Sequence, residues 1–291
     1  VGRGGRVHSR SVRGRRSSLL LAAVVLLPAV SGAAAGVDYE IEVTLDAEQH
    51  RLQGHQRVHW SNTRDTPTDE LWWHLYLNAF SSDSTTFQRE LGPRRLRFGA
   101  RPDEMTWGLI TITRMVLADG YDLLPTLEFM RPDDGNPDDF SVARVRLPEE
   151  ILPGGSAVVE VEFEAQLPSI IARAGFAGDF HLVGQWFPKL GVFEGARGWN
   201  CHQYHANSEF FADFGSYRVT LNLPHGWVVG ATGVEISRVE EPSDPGRGLQ
   251  VVVTADRVHD FAWTAAPGSL MAAVDADFEP SRDVPQVWFD R

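Results

Sequence analysis

Between Tyr39 and Leu45 the chain reads Y-E-I-E-V-T-L, apolar and polar residues in strict alternation. Successive side chains of an extended strand point to opposite faces, so Tyr39, Ile41, Val43 and Leu45 share one face. That pattern fits a half-buried strand, whereas a helix would scatter the four apolar residues around its axis. The same period returns at Glu70–Leu77, where Leu71, Trp73, Leu75 and Leu77 alternate against Trp72, His74 and Tyr76. It recurs at Leu109–Leu117, Phe140–Leu147, Ala157–Leu167, Tyr217–Leu223 and Leu249–Ala255. Turn formers such as Asp133-Asp134-Gly135-Asn136-Pro137 and Pro153-Gly154-Gly155 separate the runs. Only Ser169–Ala174 hints at a helical period. The fold class expected is all-β: a large antiparallel β-saddle or sandwich with few helices. Its core should include Ile41, Val43, Leu75, Val159, Val219 and Leu221.

The two ends read differently. Arg3, Arg6, Arg10, Arg13, Arg15 and Arg16 precede the apolar run Leu19–Val30 and the small residues Ala33-Ala34-Ala35. This is the pattern of a secretory signal peptide over residues 1–35, with an uncleaved N-terminal anchor as the alternative. The expected location is therefore exported, periplasmic or extracellular, with no membrane span after cleavage. Residues 36–266 form the expected β-domain. Beyond Ala265-Ala266-Pro267-Gly268 the composition turns acidic and proline-bearing, and a new apolar run starts at Val284. Residues 267–291 read as a linker and the first strand of another domain.

Without the six leader arginines, 21 basic residues face 39 acidic ones, a formal charge of −18. So negative a surface disfavours nucleic acid as a partner. One cysteine, Cys201, allows no internal disulfide. The one lysine, Lys189, stands among many arginines and reads as genome composition rather than chemistry.

No self-sufficient catalytic constellation appears. None of the ten histidines is followed by Glu, so H-E-x-x-H is absent, as is a G-x-S-x-G elbow. Cys201, His202 and His205 are the one local group of zinc-type ligands, but on a strand they diverge and no fourth ligand is near. Polar histidines beside a packed thiol are the simpler account. His55 and His59 share a strand face, with Gln56 and Arg57 suggesting a solvated strand. Asp133, Asp134, Asp138 and Asp139 offer carboxylates to calcium without the spacing of its loop, so a solvated turn is the default. Trp72-Trp73 and Trp186/Trp199 suit either a sugar platform or a core contact.

Four segments carry a family resemblance. V-T-L-D-A-E-Q-H from Val43, running to L-W-W-H-L-Y-L-N-A-F at Phe80, is followed by G-Q-W-F-P-K-L-G-V-F-E from Gly184. Then come W-N-C-H-Q-Y-H-A-N-S-E-F-F-A-D-F-G-S-Y-R-V-T-L from Trp199 and H-D-F-A-W at His259–Trp263. In order and spacing these resemble the N-terminal β-domain of the aminopeptidase N family of zinc peptidases, in its bacterial branch. The resemblance covers nearly all of the chain beyond the leader.

What it implies is specific. The chain would be the non-catalytic N-terminal portion of an exported zinc aminopeptidase, packed on the catalytic domain of the same polypeptide. It would line the pocket for the α-amine of a peptide substrate. The family's zinc ligands, its G-A-M-E-N motif and its proton-donating tyrosine would follow Arg291, so this chain alone would carry no cofactor and no activity. In the family a Glu or Gln side chain holds the amine, because a protonated amine needs acceptors at fixed distance. Gln185 is the position carried over, with Glu209 second. Part of the aromatic cluster Trp186, Phe187, Phe193, Trp199 and Phe210 would face the catalytic domain. The competing reading is a stand-alone secreted β-sandwich module that binds peptide or glycan; fold analogy does not separate the two.

Overall fold

The computed structural model describes residues 1–2, 36–92, 106–169, 171–244 and 246–270. The expected signal peptide, apart from Val1 and Gly2, and the expected segment after residue 270 lie outside the described residues. Among the described residues no helix is long and apolar enough to cross a membrane.

The strands run β1 (Val37–Asp46), β2 (Arg51–Ser61), β3 (Thr68–His74), β4 (Leu109–Leu117), β5 (Glu128–Met130) and β6 (Val142–Ile151). Next come β7 (Ser156–Gln166), β8 (Gly175–Ala177), β9 (Phe180–Val183), β10 (Lys189–Leu190), β11 (Val192–Phe193) and β12 (Trp199–Asn200). The series ends with β13 (Gly215–Leu223), β14 (Trp227–Ala231), β15 (Val234–Glu240), β16 (Leu249–Val258) and β17 (Trp263–Pro267). One seven-stranded sheet has the order β15-β16-β13-β1-β2-β7-β4. Two four-stranded sheets, β10-β3-β6-β5 and β14-β17-β9-β8, and the ribbon β11-β12 complete the set. The mostly β fold is the one expected. Pairing is antiparallel with one exception: β1 and β13 run parallel, Tyr39 beside Tyr217 and Ile41 beside Val219.

A hydrophobic core joins residues from the seven-stranded sheet and both four-stranded sheets. Ile41, Val43, Leu75, Val159, Val219 and Leu221 are all buried in it. Its largest side chains include Trp73, Trp186 and Trp263, each burying an area that dominates core energetics. At Gly54 a Cβ would lie 2.2 Å from the Phe163 ring, so only glycine lets that ring cover β2.

Two local expectations are corrected. The run Glu70–Leu77 is extended only to His74, and a 3₁₀ turn follows at Tyr76–Phe80. Asn78 holds that turn: its amide donates to the Phe140 carbonyl at 3.0 Å and accepts from the Ile110 N–H at 2.7 Å. The described residues of the run 169–174 are not helical; Ser169 bridges to Phe176 and Ile171 to Ala174. A helix forms instead at α1, Thr86–Leu91, whose Thr85 cap accepts from the Gln88 N–H at 3.4 Å. Thr85-x-x-Gln88 is a capping-box pattern legible in sequence.

Candidate functional site

The register of two short strands builds a pocket. Val183, at the end of β9, pairs with Trp263, at the start of β17. Because the pair is antiparallel, the residues after Val183 run beside those before Trp263. Gly184 and Gln185 thereby meet the segment His259–Ala262. Gly184 passes so close to Arg173 that a Cβ would lie 2.5 Å from its carbonyl oxygen. Gln185 then takes a left-handed backbone, φ +56°, uncommon for a non-glycine residue and a frequent mark of functional sites. Trp186, fully buried, fixes the turn by donating its indole N–H to the Phe261 carbonyl at 2.9 Å.

Lys189 opens β10 beside His74 of β3. It is 2% exposed, and its ammonium forms an ion pair with Oδ1 of Asp260. Burial lowers its pKa, and the Asp260 carboxylate opposes that shift. The same Oδ1 accepts the Phe261 N–H at 2.9 Å. Oδ2 of Asp260 accepts the Gln185 amide N–H. Both carboxylate oxygens are therefore engaged.

The Gln185 amide oxygen is not. It is buried, in a residue 6% exposed, and has no hydrogen-bond partner among the described residues. A buried acceptor left unsatisfied costs about 1–3 kcal/mol, which makes it the anomaly of this wall. Gln185 lines a cavity of about 430 Å³ with Lys189, Asp260, His259, Arg173 and Phe211. His259 donates from Nδ1 to the Ala212 carbonyl at 2.9 Å. The Arg173 guanidinium sits 5.7 Å above the Phe210 ring and binds Glu209 at 2.7 Å. Each cation in the wall thus has its own anion.

Glu209 does not line this cavity. Its side chain is 73% exposed at the rim. It borders a second cavity of about 230 Å³ with His74, Tyr76, His202, His205 and Phe211. Exposed ion pairs contribute little, so Glu209→Ala should change unfolding free energy by less than about 1 kcal/mol. A larger loss on thermal unfolding would give the Arg173 pair a structural role.

Cys201, His202 and His205 diverge. The Cys201 thiol is buried 3.6 Å from Nδ1 of His74, and burial pushes its pKa up. His202 and His205 turn to Asp133, at 2.5 and 3.3 Å, and His205 also to Glu90 at 2.7 Å. Among the described residues no three His, Cys, Asp or Glu side chains form a group able to hold a metal ion. The acidic turn is engaged by protein donors: Asp134 by Thr86 and Gln203, Asp138 by Arg89, Asp139 by Ser141. His55 and His59 are exposed beside Glu160 and Asp38. Their neighbour Gln56 is not on a solvated face; it is fully buried and donates to the Pro188 carbonyl at 2.7 Å.

Two further readings change. Trp186, Phe187 and Phe193 are core, 0%, 1% and 5% exposed, and Trp199 and Phe210 are half-buried against it. The aromatics that face outward near the cavity are Phe211 and Phe214, 45% and 53% exposed. Lys189 is not a compositional accident but the buried cation of the pocket. Its uniqueness among 26 arginines was the one sequence signal for it. Asp260 had none beyond its place in H-D-F-A-W.

No protein-family model matches the sequence, and no curated protein matches it. Among solved structures, the M1 zinc metallopeptidase from Deinococcus radiodurans aligns with 80% of this chain and 42% of its own, at 13% identity and a TM-score of 0.42. A mutant of it bound to a Tyr-Ser-Ala substrate aligns over 80% and 43%, at 15% identity and a TM-score of 0.43. This chain spans less than half the length of either.

Proposed function

We propose that the chain is the non-catalytic N-terminal β portion of an exported zinc aminopeptidase, and that the Gln185 cavity receives the α-ammonium of a peptide. The observation that carries this reading is the left-handed backbone of Gln185, a residue that lines a cavity together with Lys189, Asp260 and His259. An ammonium group carries three N–H donors and needs acceptors, and the partly exposed Asp260 carboxylate lies in the same wall. The order of the resembling segments, from Val43 to Trp263, supports the family assignment. Export rests on the arginine-rich, apolar leader alone.

In this reading the metal and the bond-breaking groups belong to a catalytic domain of the same polypeptide. Phe211 and Phe214 form the apolar rim on which that domain packs, since exposed aromatic surface at a cavity mouth suits a partner.

The test uses the reading frame extended through the expected H-E-x-x-H. There, Gln185→Ala should lower kcat/KM for a peptide by about tenfold or more, because losing the anchor loosens the position of the scissile bond. A residue of purely structural role would lower the melting temperature and leave the kinetics of the folded fraction unchanged. Wild-type kcat/KM in Gln185→Ala would remove this residue from the site.

A further inference from the structure

We infer that β15 is a self-complementary edge at which two copies of this chain pair antiparallel, with Glu235 of each copy opposite Arg238 of the other. The inference is independent of the Gln185 cavity.

The seven-stranded sheet ends on β4 at one side and on β15 at the other. The β4 edge is occupied, because the chain doubles back along it. Leu123 donates its N–H to the Met115 carbonyl at 2.8 Å, and Leu117 donates to the Tyr121 carbonyl at 2.9 Å. Among the described residues no strand pairs with the outer side of β15. Every residue of β15 is exposed, and Val234, Ile236 and Val239 are each at least half exposed. An open strand edge beside apolar side chains is a template for another strand.

Charges and bulges usually protect such an edge. Here both fit a second copy. Residues directly opposite in an antiparallel pair point to the same face. Glu235, Arg238 and Glu240 stand opposite Val253, Val251 and Leu249 of β16, which face the core. Val234, Ser237 and Val239 stand opposite Thr254, Val252 and Gln250, on the other face. Ile236 is the extra residue of a bulge and has no counterpart on β16. Val234 and Val239 are an odd number of residues apart, so a regular strand would put them on opposite faces. The bulge puts them on one, and it does the same for Glu235 and Arg238.

A two-fold axis through the sheet between Ile236 and Ser237 then brings matching faces together. Val234 meets Val239 of the other copy, Glu235 meets Arg238, and Ile236 meets Ser237. Within one chain Arg238 already holds Glu235 through two hydrogen bonds, at 3.1 and 2.8 Å. Two such pairs form a ring of alternating charge in which no carboxylate faces another. A slip of two residues would set Glu235 against Glu240, which fixes the register.

The experiment is sedimentation velocity of the full chain over a concentration series. The wild type should dimerise, and Arg238→Glu and Glu235→Arg should each weaken the dimer about tenfold or more by opposing like charges. Each substitution also breaks the ion pair inside the chain, so the decisive sample is a mixture of the two variants. One then presents two carboxylates and the other two guanidinium groups. The mixture should form a heterodimer although neither chain regains its internal pair. A wild type that stays monomeric, a dimer that survives either charge reversal, or a mixture that does not associate overturns the pairing. Hydrogen exchange supplies a test without variants. Amide exchange along β15 should slow as the wild type is concentrated, while that along β4 stays constant. Exchange at β15 that ignores concentration overturns the pairing even where the chain associates by another surface.

Discussion

Lowering the pH from 7 to 5 should reduce the unfolding free energy by about 4 kcal/mol, well before most carboxylates titrate. Two histidines are responsible. His74 is 2% exposed, stacked 4.4 Å from Tyr76; burial, then the neighbouring Lys189 cation, lowers its pKa to about 3. His181 is fully buried, and burial, then His50, lowers its pKa to about 4. Its Nδ1–H donates to the Asp179 carbonyl at 3.1 Å, so its Nε2 accepts from His50 at 3.0 Å and has no room for a proton. Both folded values lie below the ordinary imidazole value of about 6.5. Between the two, the unfolded chain binds protons that the folded chain refuses, so stability is lost as pH falls below about 6.5. At roughly 1.36 kcal/mol per pH unit, each histidine contributes about 2 kcal/mol by pH 5.

His205 works in the other direction. Burial lowers its pKa, but the bonds to Glu90 and Asp133 outweigh that and raise it. Its contribution is fully present below the ordinary imidazole value and is lost as pH rises through the raised one. Its partners are partly solvated, so that gain is screened and the two buried rings win. Urea unfolding at pH 7, 6 and 5 measures the slope, and His74→Phe should remove about half of it. Equal stability at pH 7 and 5 would show that both rings accept protons in the folded state.

The strands were legible wherever one face meets core and the other water. Leu109–Leu117 was bounded correctly, and Tyr39–Leu45 fell one or two residues short at its ends. The pattern failed at Leu75–Phe80 because every side chain there is buried, and a segment buried all round has no period to read. At Gln56 the period was right and the residue type misled: Gln56 is in phase with Val58 and Trp60, on the buried face of β2. The parallel pairing of β1 with β13 left no mark in either strand, since register between distant strands is a property of both together. The site divides the same way. Gln185 was reached through the resembling segment that contains it. Asp260 lies 71 residues beyond Lys189, and no local pattern joins them. Apolarity at Trp186, Phe187 and Phe193 foretold burial but could not say against what.

Replacing Lys189 by methionine should destabilise the fold by about 3–5 kcal/mol, the range for breaking a buried ion pair by removing one partner. The loss should fall toward the lower end, because the Asp260 side chain keeps 24% exposure and water can solvate part of the stranded charge. Methionine matches the lysine stem in length, so lost packing against Phe187, 5.2 Å below the ammonium, is a minor part. What is lost is the compensation of a carboxylate that also carries Gln185. Taking out both charges in Lys189→Met/Asp260→Asn should therefore recover much of the stability, since a buried pair is often replaceable by neutral groups at little cost. The double variant should be more stable than Lys189→Met, a coupling that two independent sites would not show. Urea midpoints with unchanged slope measure the three proteins on one scale. Lys189→Met within about 1 kcal/mol of wild type would mean that the pair is solvated in the folded state. In that case Asp260 would not be pinned by Lys189.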